Sequence, residues 1–286
     1  MKESDFLNLQ SDKVKEIYDF CITYDGEPIS RHNDVNHFIH RIGLLLDTGY
    51  DTKDEGIKQI AEKILSNQSC EGAFLSQIQI STNYGGTGLP ELGWMICDFP
   101  LLLYFLIKMG YGKDDRVIKA INYLISVSDE NGWRCKSSFE KFRGPGRKED
   151  HCPLATLYAL KVFSLLPEYH NEQFVKNGIN AMLYHWRISN ERKIYMFGMG
   201  KNFRKLKYPT HWFDIVHVVR VLVNFEYAKG TQEFKEMIGI IKSKKTQEGD
   251  FVPESVFTAY KGWDFGQKKS PSSSLSNVIN EIIDKV

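Results

Sequence analysis

The stretch THWFDIVH (residues 210–217) brings His211, Trp212, Asp214 and His217 together just before and inside an apolar run. Imidazole is the side chain that gains or loses a proton near neutral pH, so His217 and His211 are candidate general acids or bases. The face of the Trp212 indole can steady a positive charge. Asp214 begins the run that ends at Tyr227, and Asp98 begins an equivalent run that ends at Tyr111. A helix N-terminus with cations nearby is expected to lower an aspartate's pKa. Asp98 and Asp214 therefore read as bases, Mg²⁺ ligands or cation stabilisers, and equally as plain helix N-caps. His217 also reads as an ordinary core histidine. Trp94, Tyr104, Tyr158 and Trp263 sit at helical spacing in apolar stretches, as cavity walls or as packing.

These residues belong to a repeat. Residues 37–50, 98–111, 156–169 and 214–227 are apolar helix-length runs that each close on tyrosine: Tyr50, Tyr111, Tyr169 and Tyr227. Each is followed by an amphipathic run, in which Leu65, Ile125, Leu183 and Ile241 keep the same period, near 58 residues. The first type of helix must be buried on most faces and the second on one stripe. Thr52 with Glu55, and Asp114, read as caps of the second type. The endings QSCEGAF (68–74), SDENGW (128–133) and TQEGDF (246–251) stop a helix at glycine and return an aromatic ring to the core. Trp133 is thus expected to pack on the next hairpin. Residues 274–286 supply a fifth inner helix after residues 1–30, which form an N-terminal helix and lead-in.

Charge divides between the connections. Residues 134–149, 187–207 and 261–269 hold sixteen Lys or Arg against four acidic residues, and they lie beside the inner-helix N-termini. Arg143, Arg147, Lys148, Arg204 and Lys207 are therefore candidate ligands for an anionic group, with the GPG turn in FRGPGRK (142–148) offering backbone N–H groups. The short inner-to-outer turns are acidic: Asp47, Asp51, Asp54, Asp114, Asp115, Glu168 and Glu172.

With its helical hairpins and glycine–aromatic endings, the chain resembles the prokaryotic squalene-cyclase-like and prenyltransferase-like proteins of the α/α-toroid superfamily, over residues 30 to the end. The resemblance implies an all-α fold: one domain over 1–286, an incomplete or open α/α toroid of four to five hairpins. It implies an enzyme that binds an amphiphilic anionic substrate, such as an isoprenoid diphosphate, in an aromatic-lined barrel. The DxDD acid motif of class II terpene cyclases is missing; KDDR (113–116) has the letters but caps an outer helix. The DDxxD magnesium motif is missing too. By resemblance to protein prenyltransferases, Asp150, Cys152 and His211 (or His217) are candidate zinc ligands, which leaves Mg²⁺ or Zn²⁺ as the expected cofactor. The alternative is a non-catalytic helical-repeat scaffold for an anionic partner; nucleic acid is not the expected one.

The remaining totals set limits. Five cysteines without CxxC spacing predict free thiols in a reducing compartment. The start MKESDF lacks the pattern of a signal peptide, and the most apolar run, near residues 95–107, contains Asp98 and Pro100. The expectation is a cytoplasmic protein with no transmembrane segment. A net charge of +1 says nothing more by itself.

Overall fold

A computed structural model describes residues 12–144, 146, 147 and 149–286. Lys148, one of the expected anion ligands, lies outside the described residues. The chain is mostly helical, with 11 helices among the described residues. Two small two-stranded sheets make all-α too narrow a description.

The inner runs form α2 (Phe38–Asp47), α4 (Phe99–Leu106), α6 (Pro153–Phe163) and α8 (Ile215–Leu222). The amphipathic runs form α3 (Glu55–Leu65), α5 (Asp115–Ser126), α7 (Gln173–Arg187) and α10 (Gln232–Lys242), with the short α9 (Glu226–Lys229) before the last. α1 (Asp12–Thr23) packs on α2 and α3, and α11 (Ser273–Asp284) packs on α8. Each inner helix packs on the next, α2 on α4, α4 on α6 and α6 on α8. The order of burial follows composition. Every residue of α6 except Lys161 is buried, whereas α5 buries Val117, Ala120, Ile121 and Leu124 along one stripe. Buried apolar side chains form one cluster from Val14 to Ile282.

The glycine–aromatic endings work as expected. Gly72, Gly132 and Gly249 have positive φ, the left-handed turn that glycine tolerates, and Phe74, Trp133 and Phe251 after them are fully buried. Trp133 Nε1–H donates to the Leu124 carbonyl at 2.9 Å, and its ring lies 5.9 Å from that of Phe163 on α6. It belongs to the short hairpin of β3 (Ser128–Asp129) and β4 (Gly132–Trp133). The other sheet pairs β1 (Ser76–Gln79) with β2 (Pro90–Gly93) in the long connection before α4. Hydrophobic periodicity gives no sign of so short a ladder.

Caps differ in detail. Asp54, not Thr52, caps α3, accepting from the Ile57 N–H at 3.1 Å. Asp114 caps α5 and Asp214 caps α8 as expected. Asp98 makes no capping bond at α4, because its carboxylate turns to another partner.

Candidate functional site

The loops that reach the N-terminal ends of α4 and α6 leave a cavity of about 520 Å³. Its walls include Ile29, Ile80, Met95, Leu154, Phe197 and Trp212, together with the cation Arg31. The segment around Ile29 is held by bridges to β1, where the Ile29 N–H donates to the Gln77 carbonyl at 2.8 Å. That placement carries His32 to the start of α4.

There His32 Nδ1 meets Asp98 Oδ1 at 2.8 Å. Cys97 lies beside them, and one donor atom from each of His32, Cys97 and Asp98 falls within 4.8 Å of the others. Among the described residues this is the one set of three histidine, cysteine or carboxylate ligands so placed. The backbone of His32 is fixed as well, since its carbonyl accepts the Nε2–H of His40 at 2.7 Å. Burial opposes charge on His32, but the Asp98 carboxylate outweighs it and holds the imidazole pKa well above its ordinary value. Burial pushes the Cys97 thiol up to about 12. The second oxygen of Asp98 is buried and has no hydrogen-bond partner. Cys135 and Cys152 line the same cavity as free thiols.

An imidazole, a thiol and a carboxylate with a free oxygen make a donor set that suits zinc or a similar borderline cation. A bound cation would take the thiol as thiolate and so displace its proton. The residues present fit such an ion, with the cavity on the open side.

The sequence candidates fall in several places. Trp212 is on the cavity wall, with Phe197 at 5.5 Å. Asp98 is in the cluster. His217 and Asp214 lie deeper. His217 Nδ1–H donates to the Trp212 carbonyl at 2.8 Å, and Asp214 accepts the His217 N–H at 2.9 Å. Burial raises the Asp214 pKa to about 7, the reverse of the expected lowering, because Lys207 and the helix N–H groups offset only part of the desolvation. His211 donates toward the Tyr260 hydroxyl at 2.9 Å and packs 5.1 Å from His40. Tyr104 and Tyr158 border a gap of only about 20 Å³ in the middle of the helices. Trp94 packs on Phe99 and Tyr123, and Trp263 on Tyr260 and Phe265.

The zinc set expected at Asp150, Cys152 and His211 does not assemble. Asp150 is held instead by a two-pronged ion pair with Arg192, at 2.7 and 2.9 Å. Nor do the expected anion ligands line the cavity. Arg143 and Arg147 are exposed, Arg204 lies over the Trp186 ring at 4.9 Å, and Lys207 over the Phe257 ring at 3.4 Å. A cation resting on an aromatic face is partly satisfied there.

Sequence reasoning missed His32 and Cys97. Cys97 adjoins a residue that was singled out, so its pairing with Asp98 was open to view. His32 was not, since a loop residue 66 positions away carries no spacing signal. No family model and no curated protein matches the chain, so the likeness to the toroid proteins rests on its repeat and endings alone.

Proposed function

We propose that the chain is an enzyme of the terpenoid-cyclase and prenyltransferase type on an open α/α-toroid. Its amphiphilic anionic substrate lies in the 520 Å³ cavity. The observation that carries this reading is the cluster of His32, Cys97 and Asp98 opening into a wall of apolar and aromatic side chains. The apolar body of the substrate rests against Ile80, Leu154 and Phe197, Trp212 presents its π face to developing positive charge, and Arg31 is the cation at the wall for the anionic group. His32, Cys97 and Asp98 would hold a Zn²⁺-like ion, which supplies a Lewis acid and stabilises a bound nucleophile. Without it, Asp98 keeps the His32 proton in place.

Metal analysis of freshly purified protein, followed by a screen of prenyl diphosphates, tests the proposal. Stoichiometric zinc that is lost in Cys97→Ser and His32→Ala, together with turnover of a prenyl diphosphate, supports it. Metal-free protein with no bound lipid and no turnover removes it. One observation favours the scaffold reading instead. The middle of the helix assembly is filled by Tyr104, Tyr158, His40 and His211, so the hollow does not run through.

A further inference from the structure

A second charged cluster lies at the opposite, C-terminal ends of the inner helices. It begins with Lys161, the one residue of α6 that is not buried among apolar neighbours. Its ammonium lies 4.9 Å from the Tyr104 ring centroid and donates to His217 Nε2 at 3.4 Å. His217 is no counter-charge: burial, then the charge of Lys161 itself, holds its pKa well below the ordinary value, so the ring is neutral. Two carboxylates act on Lys161 by charge, and both are engaged elsewhere: Asp47 with Lys108 at 2.7 Å and Arg220 at 3.0 Å, and Asp214 as the cap of α8. Among the described residues no Asp or Glu forms an ion pair with Lys161. Desolvation, and then Arg220, lowers its pKa to about 7.

Lys161 faces a cavity of about 190 Å³, several times the ~30 Å³ share of one water. Lys108, Arg220 and Lys285 join it on the wall, with Ser164 and Asn224 as neutral hydrogen-bonding groups. Glu281 is the acidic wall residue, and Asp47 stands behind. On the wall four cations thus meet one carboxylate, with the charges of Asp47 and Asp214 also reaching Lys161. Cations near helix C-termini complement the dipole, which favours Lys108, Arg220 and also Lys161 in the last turn of α6. For Lys161 that gain is smaller than the cost of an ammonium without an ion-pair partner on a helix buried at every other position. An oxyanion in the cavity would supply Lys161 with the ion-pair partner that it lacks.

We propose that this cavity binds a phosphate-type oxyanion between Lys161, Lys108, Arg220 and Lys285. Two sources share that chemistry, free phosphate and the phosphate head of an amphiphile. The side chains between this cavity and the 520 Å³ cavity leave only about 20 Å³, too little for an apolar tail seated there to reach this one. Free phosphate is the ligand that fits.

Titration of the full chain with inorganic phosphate, read by calorimetry and by thermal unfolding, is the test. The parent protein binds saturably, with Kd about 1 mM or tighter, and its Tm rises with phosphate. Lys161→Met, which fills similar space without charge, binds about tenfold more weakly or worse, and Lys285→Gln, exposed at the rim, several-fold more weakly. Cys97→Ser binds phosphate like the parent, so the outcome is separate from that of the proposed reactive centre. If Lys161→Met does not fold, Lys285→Gln decides. No saturable binding by the parent, unchanged affinity in the folded variants, or binding of dodecyl phosphate without binding of inorganic phosphate would each overturn the proposal.

Discussion

Asp214 shows how one side chain serves structure at a cost. It caps α8 through one oxygen, while the other is buried with no partner. Its pKa rises from 3.8 to about 7, so between these values the native chain binds a proton that the unfolded chain has released. Stability from this group is therefore greatest at low pH and falls as pH rises through that window. Asp214→Asn keeps the capping oxygen and removes the charge. The difference in urea stability, variant minus parent, should grow between pH about 4 and about 7 and then level, reaching on the order of 4 kcal/mol. A flat difference across that range would show that Asp214 is not desolvated in solution. His32 gives the residue scale its second lesson, because neither residue type nor neighbouring sequence announces a contact between a loop and a distant helix start.

Among the elements, the hairpin ending in Trp133 joins three helices. Its indole N–H satisfies a carbonyl at the end of α5, its ring lies against Phe163 on α6, and it also faces Phe174 and Gly178 on α7. A Cβ at Gly178 would come within 2.7 Å of the ring and 3.2 Å of Leu160. Gly178→Ala should therefore lose about 1–3 kcal/mol by overpacking, despite alanine's better helix propensity. Trp133→Ala should lose about 3–5 kcal/mol by leaving a cavity. Denaturant unfolding of the two variants measures both, and a Gly178→Ala variant more stable than the parent would show that the helices separate freely. This element was readable beforehand: the Gly-aromatic ending recurs, and the turn needs a positive φ.

At the scale of the whole molecule, Asp47 ties the first inner helix to the fourth through Arg220, 173 residues away. Both side chains are mostly buried, and Arg220 and Lys108 hold the carboxylate pKa well below the ordinary range despite its burial. Asp47→Asn leaves two cations facing each other and should cost about 3 kcal/mol, with Arg220→Met less harmful than Asp47→Asn because it removes a cation rather than the shared anion. Acid should act similarly on the intact chain. His40, His151 and His185 are held neutral by burial, with pKa values lowered from 6.5 to about 4. Unfolding lets these three take up protons in that interval against the one that Asp214 releases, so the urea midpoint should climb as pH rises from about 4 to about 6.5. A midpoint independent of pH there would contradict the burial of these imidazoles. Among the described residues no helix is long and apolar enough to cross a membrane.

The sequence by itself determined the helices, their alternation of fully buried and one-sided types, and the glycine turns with their returning rings. These depend on periodicity and local conformation, which are written in neighbouring residues. The tertiary structure alone decided which polar groups meet. It set His32 against Asp98, gave Asp150 to Arg192 in place of a metal set, and left Lys161 facing a cavity. It also took Arg204 and Lys207, expected to hold an anionic group, onto aromatic faces. The reason is physical: a charge settles on the partner that lies nearest once the helices have packed, and the distance between residues along the chain has no bearing on their distance across the core.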